Sequence, residues 1–454
     1  MHQTLKQCKL KVRRPMHKTL YWLTKDLRID DNAALLSAAK SESLLCVYCI
    51  EPRWFSQYRY HTASMGAHRW QFIRQCLADL RVALAAYGQE ILFVVGEPDR
   101  CLAEIVERHA IDRVVCSFLP GTDEAAALAG LAARCPELII DTQDTYTLFD
   151  RDSSPLPKDR VVSYSKFRTL AERTHTSLPV DSPTSLPPLP SGISFAELRR
   201  AEIPDLSGYE ARESVFEGGE SAAKRHLKTY FGSTHASSYK KTRNELDGWE
   251  MSSKFSPWLN SGSLSVRRAL ATIRSYEEIA GANDSTYWLY VELLWREYFQ
   301  WIAVQIGPKL FSLRGINSCG GFKCFYPERF EKWCQGTTPY PLVNACMKQL
   351  KATGYLSNRG RQIAASCLVN ELEIDWRYGA AWFEHQLCDY DVASNWGNWQ
   401  YIAGVGVDPR GGRHFNLQKQ TETYDPAGSY VARWSPGPVL QTLDTRDAAD
   451  WPIG

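Results

Sequence analysis

The sequence predicts two domains: an α/β domain built on a doubly wound parallel sheet, followed by an all-α domain. The chain has 454 residues, which exceeds the size at which a single hydrophobic core keeps growing. Short apolar segments alternate with longer helical patterns from residue 19 to about residue 150. Beyond residue 209 the pattern is helical and aromatic, with 12 of the 15 tryptophans after residue 248. A chain that changes its period in this way is expected to change its fold class at the same point.

Apolar segments of strand length in the first part of the chain predict five strands, over 20–23, 44–50, 91–95, 114–117 and 138–140. An amphipathic helix is expected over 65–87. Because strands joined by helices pair in parallel, this alternation predicts the doubly wound sheet. The turn after the first strand lacks the G-x-G-x-x-G sequence that cradles a dinucleotide phosphate, so this domain is not expected to hold NAD or FAD in that way.

Proline content marks the boundary between the two domains. Residues 178–192 contain five prolines, a density that excludes helix and strand interiors and favours an extended linker. The first 15 residues carry five Lys or Arg and no acid, and either Met1 or Met16 is a candidate start. The predicted organisation is a disordered basic tail (1–17), the α/β domain (18–150), a linker (151–208), the helical domain (209–434) and a short tail (435–454).

Charge and cysteine content exclude several classes of protein. A net charge of +2 is too small for a protein that is basic throughout, so any nucleic-acid site must be local. Thirteen cysteines without a signal peptide or an apolar run of ~18 residues favour free thiols, a cytoplasmic protein and no membrane span. Cys46 and Cys49 form a C-x-x-C sequence inside a predicted buried strand, so we expect core residues there and no metal site.

The most informative part of the chain lies between residues 355 and 399. It contains Ser-Asn-Arg-Gly-Arg-Gln (357–362), Ile-Asp-Trp-Arg (374–377) and Asp-Tyr-Asp-Val-Ala-Ser-Asn-Trp-Gly-Asn-Trp (389–399). These groups can surround a planar redox cofactor, but they also occur in any polar helical cleft. Upstream, Ser-Ser-Lys-Phe-Ser (252–256) offers hydroxyls and an ammonium to a diphosphate, although such clusters more often form caps and turns.

These segments, together with Tyr-Trp-Leu-Thr-Lys-Asp-Leu-Arg at 21–28, resemble the photolyase/cryptochrome family and in particular its DASH-type cryptochromes. The resemblance implies an antenna-binding α/β domain and an FAD-binding helical domain. Arg361 would pair with a carboxylate beside the flavin, for which a structural salt bridge is the alternative, and Asn395 would lie beside flavin N5. The residues at the family's FAD-contacting positions are Tyr239, Ser252, Ser253, Lys254, Ser256, Arg361, Asp389, Asp391 and Asn395.

The resemblance also implies a site for a DNA lesion. Trp295 and Tyr401 would stack on a flipped base, and Glu292 would bond to the thymine edge. Composition alone would instead assign Glu292, Arg296 and Gln300, which are spaced by four residues, to a solvated charge ladder, and Trp301 and Trp382 to plain core. Arg296, Arg359 and Arg413 would contact phosphates. The residues at DNA- or lesion-contacting positions are Arg243, Glu292, Trp295, Arg296, Asn358, Arg359, Gln362, Tyr401 and Arg413.

An electron relay and a second chromophore are implied in the same way. Trp399 and Trp376 match the first two tryptophans of the family's relay, and with Asn395 and Glu292 they are the catalytic candidates. The third position is Lys323, which cannot carry an electron hole; of the neighbouring residues Phe322, Tyr326 and Trp333, Tyr326 is the expected substitute. The antenna would be a folate, 5,10-methenyltetrahydrofolate, with Arg53 and Glu124 as candidate contacts.

The activity implied is that of a deoxyribodipyrimidine photolyase, which repairs cyclobutane pyrimidine dimers by blue-light-driven electron transfer from reduced FAD. We expect a monomer acting on single-stranded DNA, because extruding a base costs a few kcal/mol less when it is unpaired. The 6-4 lesion is not expected, because residues 355–370 contain no histidine. A cryptochrome photoreceptor with little or no repair activity is the alternative, and the FAD-contacting residues do not separate the two.

Overall fold

A computed structural model describes residues 17–57, 60–210, 214–316, 324–407, 411–439 and 442–444. The α/β part is a five-stranded parallel sheet in the order β3-β2-β1-β4-β5. The strands are β1 (Lys18–Leu23), β2 (Ser43–Ile50), β3 (Ile91–Val95), β4 (Arg113–Ser117) and β5 (Ile139–Gln143). The helices between them are α1 (Ala33–Ala38), α2 (Ala67–Ala85), α3 (Pro98–His109) and α4 (Thr122–Arg134). The predicted fold class is confirmed, although β5 ends three residues later than expected.

Strand β2, which lies between β3 and β1, is buried along its whole length, since helices cover both faces of a parallel sheet. Cys46 and Cys49 lie in this strand as core residues with free thiols, as predicted. Tyr21 in β1 donates from its hydroxyl to Asp26 Oδ2 at 2.5 Å, and Asn32 caps α1 by accepting from the Leu35 N–H at 2.9 Å. These bonds fix the loop that follows β1.

The predicted linker contains two short helices, α5 (Tyr164–Ala171) and α6 (Phe195–Arg200). The proline-rich stretch 178–192 has no helix or strand, in line with the exclusion of regular structure by proline. Helix α5 forms because Tyr164, Phe167 and Ala171 fall on one apolar face, which is buried in the main hydrophobic core. The predicted tail at 1–17 lies outside the described residues except for His17.

The second half of the chain is helical. Its longest helix, α11 (Asp284–Ile306), begins at a capping box in which Asn283 accepts from the backbone N–H of Ser285 and Thr286. A π-helical turn at Cys367–Glu371 follows α14. The helices are α7 (Glu220–Phe231), α8 (His235–Thr242), α9 (Ser256–Ser261), α10 (Val266–Ala280), α11, α12 (Pro327–Gln335), α13 (Pro341–Thr353), α14 (Asn358–Ser366), α15 (Trp376–Gln386), α16 (Val392–Ala403), α17 (Leu417–Tyr424) and α18 (Ser429–Trp434).

Two hydrophobic cores hold the molecule together. The smaller one fills the face of the sheet covered by α3 and α4. The larger one begins on the opposite face and continues without interruption into the helical domain. The loops after β1 and β5 also contact the helical domain. Arg28 Nη1 donates to Gly262 O at 2.8 Å, and the Tyr146 hydroxyl donates to Asp391 Oδ2 at 2.8 Å.

Within these described ranges, no helix combines the length and the apolar character that crossing a bilayer requires.

Candidate functional site

Arg361 and Asp389 form an ion pair between a half-buried guanidinium and a buried carboxylate. Arg361 Nη2 donates to both carboxylate oxygens of Asp389, at 2.8 and 3.0 Å, and Arg361 Nε donates to Leu356 O at 2.9 Å. The Asp389 side chain is 1% exposed. Burial lowers the pKa of Arg361, but the Asp389 carboxylate outweighs this effect and the pKa lies above its usual value. Each charge therefore compensates the other in the protein interior.

Asp391 lies at the contact between the two domains. It caps α16 by accepting from the Ser394 N–H at 2.7 Å, and it accepts from Tyr146 and from Gln300 Nε2, each at 2.8 Å. Burial raises its pKa, but Lys25 and Arg296 hold the pKa below its usual value. The four-residue spacing had singled out Gln300, whereas no local pattern marks Tyr146, which lies 245 residues away in the sequence.

Helix α16 carries Asn395 and Trp399 into the interior. Asn395 Nδ2 donates to Ala380 O of α15 at 3.0 Å, which orients the side chain. Trp399 is 2% exposed, and its ring meets the edge of Phe383 at 5.2 Å between centroids. We call Arg361, Asp389, Asp391 and Asn395 the Arg361 cluster.

Residues 252–256, which we call the serine loop, lead into α9. They include Lys254, a buried cation. Its side chain lies against Tyr355, with Nζ 4.5 Å from the ring centroid and 3.5 Å from the hydroxyl. Among the described residues, no carboxylate lies within 4 Å of Lys254 Nζ. Its backbone is left-handed, with φ of 55°. A buried ammonium without a carboxylate partner fits an anionic ligand such as a diphosphate.

His226 of α7 holds the serine loop, and a donor without an acceptor among the described residues lies near α8. Ser252, Ser253 and Ser256 are half-buried, and His226 holds the loop through a 2.8 Å hydrogen bond between Nε2 and Ser253 O. Burial lowers the pKa of this histidine, which favours the neutral ring that donates from Nε2. Tyr239 is buried in α8, and the nearby Trp288 Nε1 has no acceptor among the described residues. These donors fit a polar cofactor.

The expected lesion contacts lie on α11, α14 and α16. Glu292 forms an ion pair with Arg243, so the residue expected at the thymine edge and an expected DNA contact touch each other. Trp295 is half-buried and meets the edge of Tyr401, with ring centroids 6.0 Å apart at 84°. Arg413 Nη2 donates to the Tyr401 hydroxyl at 2.9 Å. Asn358, which is exposed, and Gln362, which is half-buried, lie on α14.

The arginines expected to bind phosphate have different environments. Arg359 lies over the Tyr424 ring at 4.8 Å, and its Nε is buried without an acceptor among the described residues. The environment of Arg296 differs from that expected of a phosphate contact. Its side chain is only 12% exposed, and Nη1 donates to Tyr146 O at 2.7 Å. The fold commits Arg296 to the contact between domains, because its length spans from α11 to the loop after β5.

Of the expected relay residues, Trp399 and Trp376 are buried, whereas Tyr326 is exposed. Trp376 is 1% exposed, its Nε1 donates to Leu313 O at 3.2 Å, and its ring lies 5.8 Å from that of Trp396. Lys323 and Phe322 lie outside the described residues. Tyr326 is 36% exposed with the Arg329 guanidinium 4.3 Å from its ring centroid, while Trp333 is fully buried.

A cavity of about 650 Å³ lies between the two domains, and the structure brings Arg53 and Glu124 together in its wall. Sequence reasoning missed its other polar wall, which includes Glu384, Tyr390 and Trp396. Trp396 Nε1 donates to Glu384 Oε2 at 3.1 Å, and burial raises the pKa of Glu384. We call the space bounded by these five residues the interdomain cavity.

Two family models match the chain: DNA photolyase over residues 19–190, and the FAD binding domain of DNA photolyase over residues 288–451. The chain is 47% identical to the cryptochrome DASH of Idiomarina loihiensis over 436 residues, covering 96% of both chains. It is 45% identical to that of Vibrio parahaemolyticus, covering 96% of this chain and 97% of the relative.

Solved structures agree with these sequence matches. The crystal structure of a Synechocystis cryptochrome aligns with a TM-score of 0.87 and 35% identity, covering 92% of this chain and 88% of the other. A class III photolyase from Agrobacterium tumefaciens aligns with a TM-score of 0.76 and 25% identity, covering 94% and 88%. With its FAD-binding domain and its cryptochrome DASH relatives, the chain belongs to the photolyase/cryptochrome family of blue-light flavoproteins.

Proposed function

We propose that this protein repairs cyclobutane pyrimidine dimers in DNA under blue light, with single-stranded DNA as the preferred substrate. The observation that carries the proposal is an aromatic wall, Trp295 on α11 and Tyr401 on α16, on helices that also contact the Arg361 cluster: α16 carries Asn395, and Gln300 of α11 donates to Asp391. Such a wall can stack on an extruded pyrimidine pair beside a redox cofactor. Extrusion is less costly from a single strand, which favours that substrate.

FAD would be held by the serine loop and the Arg361 cluster. Lys254 would neutralise one diphosphate charge, and Ser252, Ser253 and Ser256 would donate hydroxyl hydrogen bonds. The cation of Arg361, kept charged by Asp389, would favour an anionic reduced flavin. When bound and reduced, FAD supplies the electron that opens the cyclobutane ring under light and takes it back afterwards.

The chain's own residues would bind and orient the lesion. Glu292 would accept from the thymine edge while its ion pair with Arg243 orients the carboxylate. Arg359 and Arg413 would contact phosphates. The Nε–H of Arg359 has no acceptor among the described residues, and Arg413 lies at the Tyr401 edge of the site. Asn358 and Gln362 would reach the lesion from α14.

A folate antenna would occupy the interdomain cavity. A volume of about 650 Å³ lies in the range of ordinary ligand pockets, and Arg53 and Glu124 in its wall offer both charges to a pteridine ring and its carboxylate tail.

One assay tests the proposal. Purified protein, reduced under anaerobic conditions, would be illuminated with thymine-dimer oligonucleotides in single-stranded and in duplex form, and repaired strands would be counted by chromatography. We expect light-dependent repair that is faster on the single strand. The chromophores released by denaturation would be identified in parallel. A flavin that photoreduces normally without any repair would reject this function in favour of a photoreceptor.

A further inference from the structure

Helix α5, which the sequence assigned to a linker, supplies a residue to the proposed lesion site. The Tyr164 ring lies face to face on the Trp295 indole, with centroids 3.4 Å apart and planes inclined by 9°. Tyr164 is buried, at 9% exposure, while Trp295 remains half-buried. One face of the expected lesion wall is therefore covered by the protein itself.

Reciprocal hydrogen bonds fix this arrangement. The Tyr164 hydroxyl donates to Val291 O at 3.0 Å, one turn before Trp295 on α11. In return the Tyr298 hydroxyl donates to Val162 O, just before α5, at 2.8 Å. The Tyr298 ring also meets the edge of Tyr164 at 5.7 Å. Sliding α5 along α11 would break both bonds, so Tyr164 is a fixed support and not a mobile plug.

Besides Tyr164, three aromatic rings lie around the Trp295 indole, and one of them is Tyr298, with ring centroids 6.0 Å apart. Phe299 flanks the indole along the helix at 5.8 Å, and the edge of Tyr401 faces it at 6.0 Å. In the proposed complex the stacking base would enter on the Tyr401 side, where Arg413 bonds to the tyrosine hydroxyl. An indole held in one rotamer loses no further freedom when a base stacks on it.

We infer that Tyr164 is a positioning residue for lesion recognition: it holds Trp295 in the orientation that stacks on an extruded pyrimidine pair beside Tyr401. This inference rests on the proposed function. Removing the support would let the indole rotate, and reordering one freed side chain on binding weakens affinity about two- to tenfold. Binding of undamaged DNA does not use this stacking and should not change.

The test compares Tyr164→Ala with Tyr164→Phe and with Tyr287→Ala. Phenylalanine keeps the stacked ring and loses only the hydroxyl. Tyr287→Ala is the matched control, because the Tyr287 hydroxyl donates to Glu172 and links the same two helices two turns from Trp295. Dissociation constants would be measured for a single-stranded thymine-dimer oligonucleotide and its undamaged counterpart, together with the repair rate at saturating substrate.

We expect Tyr164→Ala to bind the dimer about two- to tenfold more weakly, with unchanged affinity for undamaged DNA and an unchanged saturated repair rate. Tyr164→Phe and Tyr287→Ala should match the wild type. If Tyr164→Ala bound the dimer as tightly as the wild type, the inference would be overturned and the proposed function would stand. The same would follow if Tyr287→Ala weakened dimer binding as much as Tyr164→Ala does. A wild type that binds damaged and undamaged strands equally would reject the proposed function and this inference with it.

A measurement without DNA checks the stacking directly. Tyr164→Ala should increase quenching of tryptophan fluorescence by acrylamide, since the covered face of Trp295 becomes accessible. The same substitution in a Trp295→Phe background should produce no such increase. An increase that persists there would show that Tyr164 shields a different tryptophan, which would also overturn the inference.

Discussion

The Arg361 cluster and the interdomain cavity both adjoin α16, yet they treat buried charge in opposite ways. In the cluster, both carboxylates have hydrogen-bond partners: Asp389 bonds to Arg361, and Asp391 accepts from Tyr146, Gln300 and the Ser394 N–H at the start of α16. In the cavity, burial raises the pKa of Glu384 and lowers the pKa of the buried Arg69, which lies 4.6 Å from the Tyr390 ring centroid. Compensated charge makes a rigid site, whereas the cavity keeps space and less complete pairing for a ligand.

The largest effect is expected from Asp389→Ala, which breaks the cluster at its ion pair. Arg361, which is half-buried, would lose its counterion, so the protein should purify with little flavin and a lower Tm. The ratio of flavin to protein absorbance measures the loss. Glu384→Gln is the control in the cavity: it should retain FAD, because Glu384 lies in the wall of the interdomain cavity and is not a member of the Arg361 cluster. Full flavin occupancy in Asp389→Ala would show that the Arg361–Asp389 ion pair is not needed to hold the flavin.

Glu297 of α11 should make the free energy of unfolding depend on pH. It is fully buried, accepts from the Leu148 N–H at 2.8 Å and from Trp301 Nε1 at 3.1 Å, and burial raises its pKa to about 7. The folded state then binds the proton more tightly than the unfolded chain. This stabilisation is complete below the unfolded pKa near 4.5 and is lost as pH rises through about 7.

The measurement is the free energy of unfolding in denaturant at pH 5 and pH 8. Wild type should lose about 3 kcal/mol relative to Glu297→Gln between these values, since a shift of one pKa unit corresponds to about 1.4 kcal/mol. Glutamine cannot titrate, so any constant offset from its changed hydrogen bonds cancels in the comparison. Parallel pH profiles for the two proteins would show that Glu297 does not titrate in this range.

Photoreduction should depend on the route out of the cluster. Trp376→Phe should lose most of the photoreduction seen with excess thiol, because phenylalanine is far harder to oxidise than tryptophan. Lys323→Trp should accelerate it, and Tyr326→Phe should remove what remains if the exposed Tyr326 is the terminal donor. Flavin absorbance would be followed under constant light. Fast photoreduction that survives both Trp376→Phe and Tyr326→Phe would exclude this route.

The smallest effect concerns the surface of the site. Arg359→Ala should reduce the slope of log affinity against log salt by about 0.7 on single-stranded DNA if Arg359 contacts one phosphate. Arg296→Lys is the contrasting variant: Arg296 is buried at the contact between domains, so the slope should stay unchanged there. A slope that falls with Arg296→Lys and not with Arg359→Ala would reverse the assignment of these two arginines.

The sequence by itself predicted the five strands of the sheet, the helical character of the second half and the family. Unbroken apolar segments such as β2 specify a buried parallel strand locally, and the run from Asp389 to Trp399 keeps its spacing as the cap and first turns of α16. Local periodicity encodes these features because neighbouring residues share one helix or strand.

Only the tertiary structure decided which distant residues meet. Tyr164 covers Trp295, Tyr146 bonds to Asp391 and Arg296 is buried, although each pair of partners is separated by more than 100 residues. No local pattern predicts such contacts, because they depend on how the faces of whole helices and the ends of strands pack against each other. The aromatic and polar residue types were visible in the sequence, but their partners were set by that packing.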